Sequence, residues 1–519
     1  MLAQDHASDY CGLVQFPRTS GILLHPTSFP GQFGIGELGP AAYEFVDFLQ
    51  YAGQKLWQVL PLNPTGYGDS PYQTFSAFAG NPLLISFDDL LQRGVLHRGD
   101  IAGAPRSQED QVDFGAVIPY KQKVLATAAK NFFASATAQQ RGEFERFCTE
   151  NAHWLTDYAL FMTAKIQQGG AMWTEWPMAQ RMHRSIAWQE WCDRMHNQIT
   201  AHRYAEFEFF RQWERLRRYA NERGIRIMGD MPMYVALDSS DVWAHPERFC
   251  LDEEGHPTKV AGVPPDYFSA TGQLWGNPIY RWDMMKRDGY AWWVARFTAA
   301  LKRFDVLRLD HFRGYEAYWE IPAGETTAVN GQWVPGPGAE LFEVLQKKLG
   351  ELPVIAENLG VITPEVEAIR TRFGFPGMAL LQFAFGNDPQ GPSFRPHNYV
   401  RELVAYTGGH DNDTAVGWWT STGGDSTRTE EDIKKEHDFA RAYLGLCDQP
   451  INWAMIRAVE ASIANTVIIP LQDVLGLGSE ARMNLPGGTS GCWGWRYRAG
   501  ALTDEMARRL RTMVEVYDR

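Results

Sequence analysis

Along the chain, short apolar runs alternate with amphipathic stretches. Eight runs rich in aliphatic or β-branched residues, each bounded by turn residues, read as strands: 20–26 (SGILLHP), 56–62 (LWQVLPL), 226–233 (RIMGDMPM), 306–312 (VLRLDHF), 353–358 (PVIAEN), 378–385 (MALLQFAF), 404–411 (VAYTGGHD) and 466–475 (TVIIPLQDVL). Several begin apolar and end in polar or acidic residues. Parallel strands that are buried along their length and present chemistry at their C-terminal ends have this grammar. Helical periodicity fills the intervals, most clearly at 203–223, where Phe210, Trp213, Leu216 and Ala220 recur at spacings of three and four and Gly224 offers a stop. Helix followed by strand, repeated, predicts βα units. Eight units predict closure into a (β/α)8 TIM barrel over residues 16–519, with inserted subdomains and no separate C-terminal β-domain.

Uneven spacing locates the insertions. More than 160 residues separate the second and third runs, so residues 86–200 are expected to form a helical insertion. A second excursion, 234–290, is rich in Pro, Gly and aromatics and follows the acidic end of the third run, so it is expected as a loop-rich insertion covering the cleft. The clusters PGPG (335–338) and PGGTSG (486–491) read as surface loops.

Composition narrows the function classes. The chain has 519 residues, 45% hydrophobic and 21% charged, which is ordinary for a globular protein. Its 49 Lys+Arg against 62 Asp+Glu give a net charge of −13, which argues against nucleic acid or an anionic membrane as partner. The aromatic stock is large (19 Trp, 20 Tyr, 29 Phe), enough to fill a core and also supply rings that pack on sugar faces. Six scattered cysteines form no CxxC pair and no zinc-like cluster, so they read as small hydrophobes in a reducing, cytoplasmic compartment. The N-terminal segment has no secretory pattern, and no run is apolar over the roughly 18 residues that a membrane span needs.

Two motif matches fail on context. Residues 34–39 (GIGELG) fit the dinucleotide pattern, but Pro26, Pro30 and Gly31 precede them where a strand should lie, and Gln58 stands where an acidic residue is required. A turn with helix entry is the better reading. Asp411, Asn412 and Asp413 open like a calcium loop, yet Val416 stands at the sixth position, which wants Gly, and Thr422 at the twelfth, which wants Glu. No cofactor and no metal is expected.

What remains is a set of carboxylates at predicted strand ends: Asp230 (GDMP), Asp310 (RLDHFRG), Glu357 (AENLG) and Asp411 (GGHDND), spaced by 80, 47 and 54 residues. On strands three, four, five and seven of a barrel they share one rim. A single acidic residue at such a position is most often a helix cap or an ion-pair partner. Four together, flanked by Arg308, His311, Arg313 and His410, are the equipment of glycoside chemistry, in which one ionised carboxylate attacks and one protonated carboxyl assists departure. Arg308 lies two positions before Asp310, so both side chains point to one side of the strand, and the guanidinium keeps Asp310 anionic. Glu357, facing Asp310 and Asp411, should have its pKa raised by like charge, which suits an acid/base catalyst.

These residues and their surroundings resemble the 4-α-glucanotransferases known as amylomaltases or disproportionating enzymes, of the α-amylase clan. The likeness runs nearly end to end, through segments 20–39, 57–82 (WQVLPLNPTGYGDSPYQTFSAFAGNP), 229–235, 264–280 (PPDYFSATGQLWGNPIY), 308–314, 355–360 and 408–414. It implies retaining transfer of α-1,4-glucan segments through a covalent glycosyl-enzyme, with maltooligosaccharides as partners. Asp310 then looks like the nucleophile, Glu357 the acid/base and Asp411 the transition-state stabiliser. Asp230, Arg308, His311 and His410 resemble the support for the donor sugar, and Tyr72 its platform with Ser70 nearby. Tyr267 and Phe268 resemble residues that overhang the cleft, while Gln273, Trp275 and Asn277 resemble contacts to donor or acceptor glucose. Gly409 departs from the family, which often has Thr before the HDN triplet.

Water and a sugar hydroxyl compete for one covalent intermediate, so an α-1,4-glucan hydrolase on the same barrel is the alternative. A cleft-covering loop at 260–280 that binds an acceptor favours transfer. A catalytically silent glucan-binding protein would require loss of one of the three core carboxylates, and all three are present.

Overall fold

The computed structural model describes residues 16–105, 108–183, 185–265, 269–423, 429–487 and 491–519. Among these, twelve strands occur: β1 (Thr19–Leu23), β2 (Leu56–Gln58), β3 (Arg226–Met231), β4 (Lys259–Val263), β5 (Gln273–Pro278), β6 (Val306–Leu309), β7 (Ala317–Pro322), β8 (Gln332–Pro335), β9 (Val354–Ala356), β10 (Gly377–Leu380), β11 (Leu403–Tyr406) and β12 (Thr466–Pro470). Eight of them form one parallel sheet in the order β10-β11-β12-β1-β2-β3-β6-β9. The seam between β9 and β10 is closed by the Ala356 N–H, which donates to Pro376 O at 2.9 Å, and by the Met378 N–H, which donates to Asn358 Oδ1 at 2.8 Å. The result is the (β/α)8 barrel that the eight apolar runs predicted.

Each strand is shorter than its run, because apolar character continues past the point where the backbone leaves the sheet. The run 466–475 divides into β12 and a buried helix, Leu471–Leu475; 378–385 divides into β10 and a 3-10 turn, Leu381–Ala384. Periodicity does not separate a buried strand from the buried helical turn that follows it. Inside the barrel the side chains are polar as well as apolar: Tyr406 of β11 donates its hydroxyl to Gln58 of β2 at 2.8 Å, although these strands are not neighbours.

The helix read at 203–223 spans His196–Glu222 and ends before Gly224, which takes φ +73°. It lays Trp213 on the barrel's outer wall, with ring centroids 6.3 Å from Trp57 and 5.8 Å from Phe304. Between β2 and this helix lie six α-helices among the described residues, the longest being Phe114–Ser135 and Ala152–Gln167. Their rings pack with those of the long helix, as in Phe132 against Tyr204 (4.8 Å) and Phe144 against Phe207 (5.8 Å).

The 234–290 excursion contains β4 and β5, which join β7 and β8 in a four-stranded antiparallel sheet of order β5-β4-β7-β8. Sequence pattern gives only loop here because Gly262, Pro264, Gly272 and Gly276 interrupt the alternation. The segment 34–39 is a turn rather than a nucleotide loop. It leads into the helix Pro40–Tyr51, and a Cβ at Gly36 would lie 2.0 Å from Pro26 O. Among the described residues no helix is long and apolar enough to cross a membrane.

At Gly229 in β3 a Cβ would stand 2.2 Å from the ring of Phe304, which lies just before β6. Gly229→Ala is expected to lower stability by about 1–3 kcal/mol through overpacking, read as a fall in the thermal unfolding midpoint.

Candidate active site

All four predicted carboxylates lie at the C-terminal end of the barrel. Asp230 is the penultimate residue of β3, Asp310 follows β6, Glu357 follows β9, and Asp411 lies in the loop after β11. The sheet pattern continues one step beyond the strands, since Asp310 N–H donates to Met231 O and Glu357 N–H to Leu309 O, each at 3.1 Å. The chain then turns sharply at His311, which adopts φ +50°. This turn aims the His311 N–H at Glu357 Oε2 (2.8 Å), while the Leu359 N–H meets Oε1 (2.8 Å). The residue after Asp310 therefore grips the Glu357 carboxyl directly, and the two acids sit side by side on adjacent strands.

Arg308 ties two of the carboxylates together. Its Nη1 donates to Asp230 Oδ1 and Oδ2 at 2.8 and 2.7 Å and to Asp310 Oδ1 at 3.0 Å. Asp230 and Arg308, opposite each other in neighbouring strands, are 4% and 5% exposed. Tyr72 adds a hydroxyl donated to Asp230 Oδ2 at 2.8 Å. Burial pushes the Asp230 carboxyl up while the Arg308 guanidinium pulls it back. Against the desolvation that works to lower it, the charges of Asp230 and Asp310 hold Arg308 above its usual value, so it stays protonated.

Glu357 is pushed up to about 7. The leading cause is burial rather than the like charge read from the sequence; Arg308 opposes the shift and Asp310 adds to it. Burial likewise pushes His311 down to about 4, leaving a neutral ring whose centroid lies 4.8 Å from that of Trp275, edge-on at 86°.

On the opposite side, His410 stacks on Tyr72 with centroids 5.0 Å apart and planes 13° from parallel, and Trp493 closes the group at 5.7 Å from Tyr72. Asp411 is half-exposed. Its Oδ1 accepts from the Asn484 carboxamide at 2.7 Å and lies 3.4 Å from His410 Nε2. The Asn484 N–H also donates to His410 O at 3.1 Å. Gly409 is fixed through its N–H by Asn412 Oδ1 at 2.8 Å.

The remaining predicted residues divide by position. Ser70 Oγ accepts from the Tyr72 N–H at 3.2 Å. Gln273 and Trp275 are joined by the indole N–H at 3.1 Å on β5. Asn277 is buried, donating to Val235 O at 2.9 Å and accepting from Gln73 at 3.3 Å, so its side chain is engaged within the protein. Tyr267 and Phe268 lie outside the described residues. Arg313 turns away from the carboxylates, bonding Val361 O, with its guanidinium 3.6 Å from the Trp333 ring centroid. Asn484 and Trp493 escape sequence reading because they flank the 486–491 cluster, which reads as a surface loop; a polar residue two positions before Pro486 was the available signal.

A parallel barrel whose C-terminal rim sets a half-buried carboxyl at about 7 beside an arginine-paired carboxylate, under aromatic cover, defines a protein of the glycoside-bond-cleaving barrel class. The sequence profile described as 4-alpha-glucanotransferase matches residues 24–503. The 4-alpha-glucanotransferase of Synechocystis sp. is 50% identical over 512 residues, covering 97% of this chain and 98% of the relative. That of Thermus thermophilus is 49% identical over 514 residues, covering 98% and 100%. A solved structure, amylomaltase from Streptococcus agalactiae in complex with acarbose, superposes with a TM-score of 0.91 at 40% identity over 97% of this chain and 99% of that one. The chain belongs to the 4-alpha-glucanotransferase family.

Removing the guanidinium by Arg308→Met leaves Asp230 buried without a countercharge, and about 3–5 kcal/mol of stability should be lost. Much of that loss should return in the Asp230→Asn, Arg308→Met double variant, measured by thermal unfolding of both.

Proposed function

We propose that this protein transfers α-1,4-glucan segments from a maltooligosaccharide donor to the 4-hydroxyl of an acceptor glucan or glucose, with retention at the anomeric carbon. The observation that carries the mechanism is the contrast between two adjacent carboxyls: Asp310 is ion-paired with Arg308, whereas Glu357 is half-buried and raised to about 7 by desolvation. In the first step an Asp310 oxygen bonds to C1 of the donor sugar. The C1–O4 bond breaks, and the Glu357 proton goes to the departing oxygen. In the second step the Glu357 carboxylate takes the proton from the acceptor 4-hydroxyl, whose oxygen displaces Asp310 from C1. Two inversions give net retention.

Asp411, held by Asn484, is read as the group that grips sugar hydroxyls as positive charge develops at C1. Tyr72, stacked on His410 and bonded to Asp230, offers the ring on which the donor sugar rests, with Ser70 supporting it. His311, Asp230 and Arg308 fix the donor side; Gln273 and Trp275, with Tyr267 and Phe268, are assigned to sugar contacts across the cleft, and Asn277, its amide taken up by Val235 and Gln73, backs them from within the protein.

Residues 16–519 are taken as one catalytic unit, with 86–200 as a helical insertion and 234–290 as the cleft cover. The cover favours transfer by holding an acceptor where water would otherwise react. A cytoplasmic location is part of the same reading, supported by described cysteines that form no disulfide among themselves.

Incubation with maltotriose should yield glucose and a ladder of longer maltooligosaccharides with little net gain of reducing ends; a product set dominated by hydrolysis would favour the α-glucan hydrolase. The donor kcat/KM requires protonated Glu357, so it should be full below about 7 and fall as pH rises through that value. Glu357→Gln should lose this activity almost entirely while keeping its unfolding midpoint, and a fully active variant would remove Glu357 from the mechanism.

A further inference from the structure

The loop bearing His410 and Asp411 is fastened at both ends by one carboxylate from a neighbouring strand's continuation. Asp473 lies in the helix Leu471–Leu475, directly after β12, and is 1% exposed. Its Oδ2 accepts the Thr407 hydroxyl at 2.5 Å, and its Oδ1 accepts the Ala415 N–H at 2.7 Å. Thr407, fully buried, is the first residue after β11; Ala415 is the first residue of the helix Ala415–Thr420. The loop departs and returns between these two bonds.

We infer that Asp473 is a positioning residue for Asp411 and His410: its carboxylate sets the span of the 407–415 loop and so the placement of Asp411 against Asp310 and Glu357. The inference rests on the assignment of Asp411 given above.

Three observations favour a positioning role over simple packing. Asp473 is itself anchored, since the Asn452 carboxamide donates to its carbonyl at 2.8 Å and its helix issues from a barrel strand. The clamp therefore refers the loop to the rigid barrel. The same side of the loop is met again further along, where Thr414 donates to Leu477 O (2.7 Å), Ser479 to Asp413 (2.6 Å) and Arg482 to Asp411 O (2.8 Å). Residues 473–484 thus form a continuous template for the loop, with Asp473 at its root. Finally, a buried carboxylate is a costly way to fill space: burial lifts Asp473 to about 6, against the two hydrogen bonds it accepts. A group accepting two donors from opposite ends of a loop has a reason to be there that a neutral filler lacks.

The test is steady-state kinetics on maltotriose with Thr407→Val, Asp473→Asn and Asp473→Ala, at a temperature where each variant is fully folded. A misplacement of about 1 Å is enough to cost on the order of a hundredfold in rate. Thr407→Val is expected to lower kcat about tenfold and Asp473→Ala about a hundredfold, with Asp473→Asn between them and KM within about twofold throughout. Thr407→Val added to Asp473→Ala should cost little more, because both remove one interaction. Should Asp473→Ala fail to fold, Thr407→Val, which deletes a single hydroxyl, decides. A kcat within twofold of wild type in folded Thr407→Val and Asp473→Asn, with only the unfolding midpoint lowered, would overturn the inference and leave the proposed function standing. A wild-type protein that performs no transfer would overturn both.

Discussion

The Arg308 guanidinium, buried between Asp230 and Asp310, is the interaction on which the site depends. Two carboxylates this close would repel, and taking each ion out of water costs several kcal/mol. A single nitrogen that donates to three carboxylate oxygens within 3.0 Å offsets that cost only while β3 and β6 keep their present register. The same alignment continues the sheet ladder to Asp310 and Glu357, whose N–H groups bond Met231 and Leu309 carbonyls on the adjacent strands. Strand register and the charge pattern of the site are therefore one constraint. A slip of one residue would turn Arg308 and Asp310 into the apolar layer now occupied by Leu307 and Leu309.

Around this ionic centre the protein supplies polarity by environment rather than by additional charge. Glu357 and Asp310 are both half-buried carboxyls at the ends of neighbouring strands, yet one is held by two backbone N–H donors and the other faces a cation. The left-handed turn at His311 makes the first arrangement, and the buried imidazole stays neutral there, so it adds no positive charge to stabilise Glu357 as an anion. Asp411 is different again: half-exposed, it is positioned by Asn484 and by a loop fastened to the β12 continuation. Of the three acids, Asp310 and Glu357 are thus half-buried and Asp411 is the most open.

A large part of the fold was legible in the chain because burial leaves a periodic trace. Each of the eight apolar runs overlaps a barrel strand, and Gly224 ends the long helix where the pattern placed its stop. Asp230, Asp310, Glu357 and Asp411 were legible as a group, because four acidic residues at or near the ends of apolar runs are more than helix caps and ion pairs ordinarily account for. The small antiparallel sheet was not legible, since glycines and prolines at 262, 264, 272 and 276 interrupt its alternation. Nor were the strand ends at 380 and 470, where apolar character passes unbroken into buried helical turns.

By itself the sequence determined the barrel and which acidic residues stand near the C-terminal ends of its strands, since hydrophobic period and residue chemistry are local properties. Tertiary structure alone decided that burial, more than neighbouring charge, raises Glu357, that Arg313 faces Trp333 instead of the carboxylates, and that Asn484, Trp493 and Asp473 support the Asp411 loop. Each of these depends on which distant segments come within hydrogen-bonding or van der Waals reach, and that is fixed only when the barrel closes.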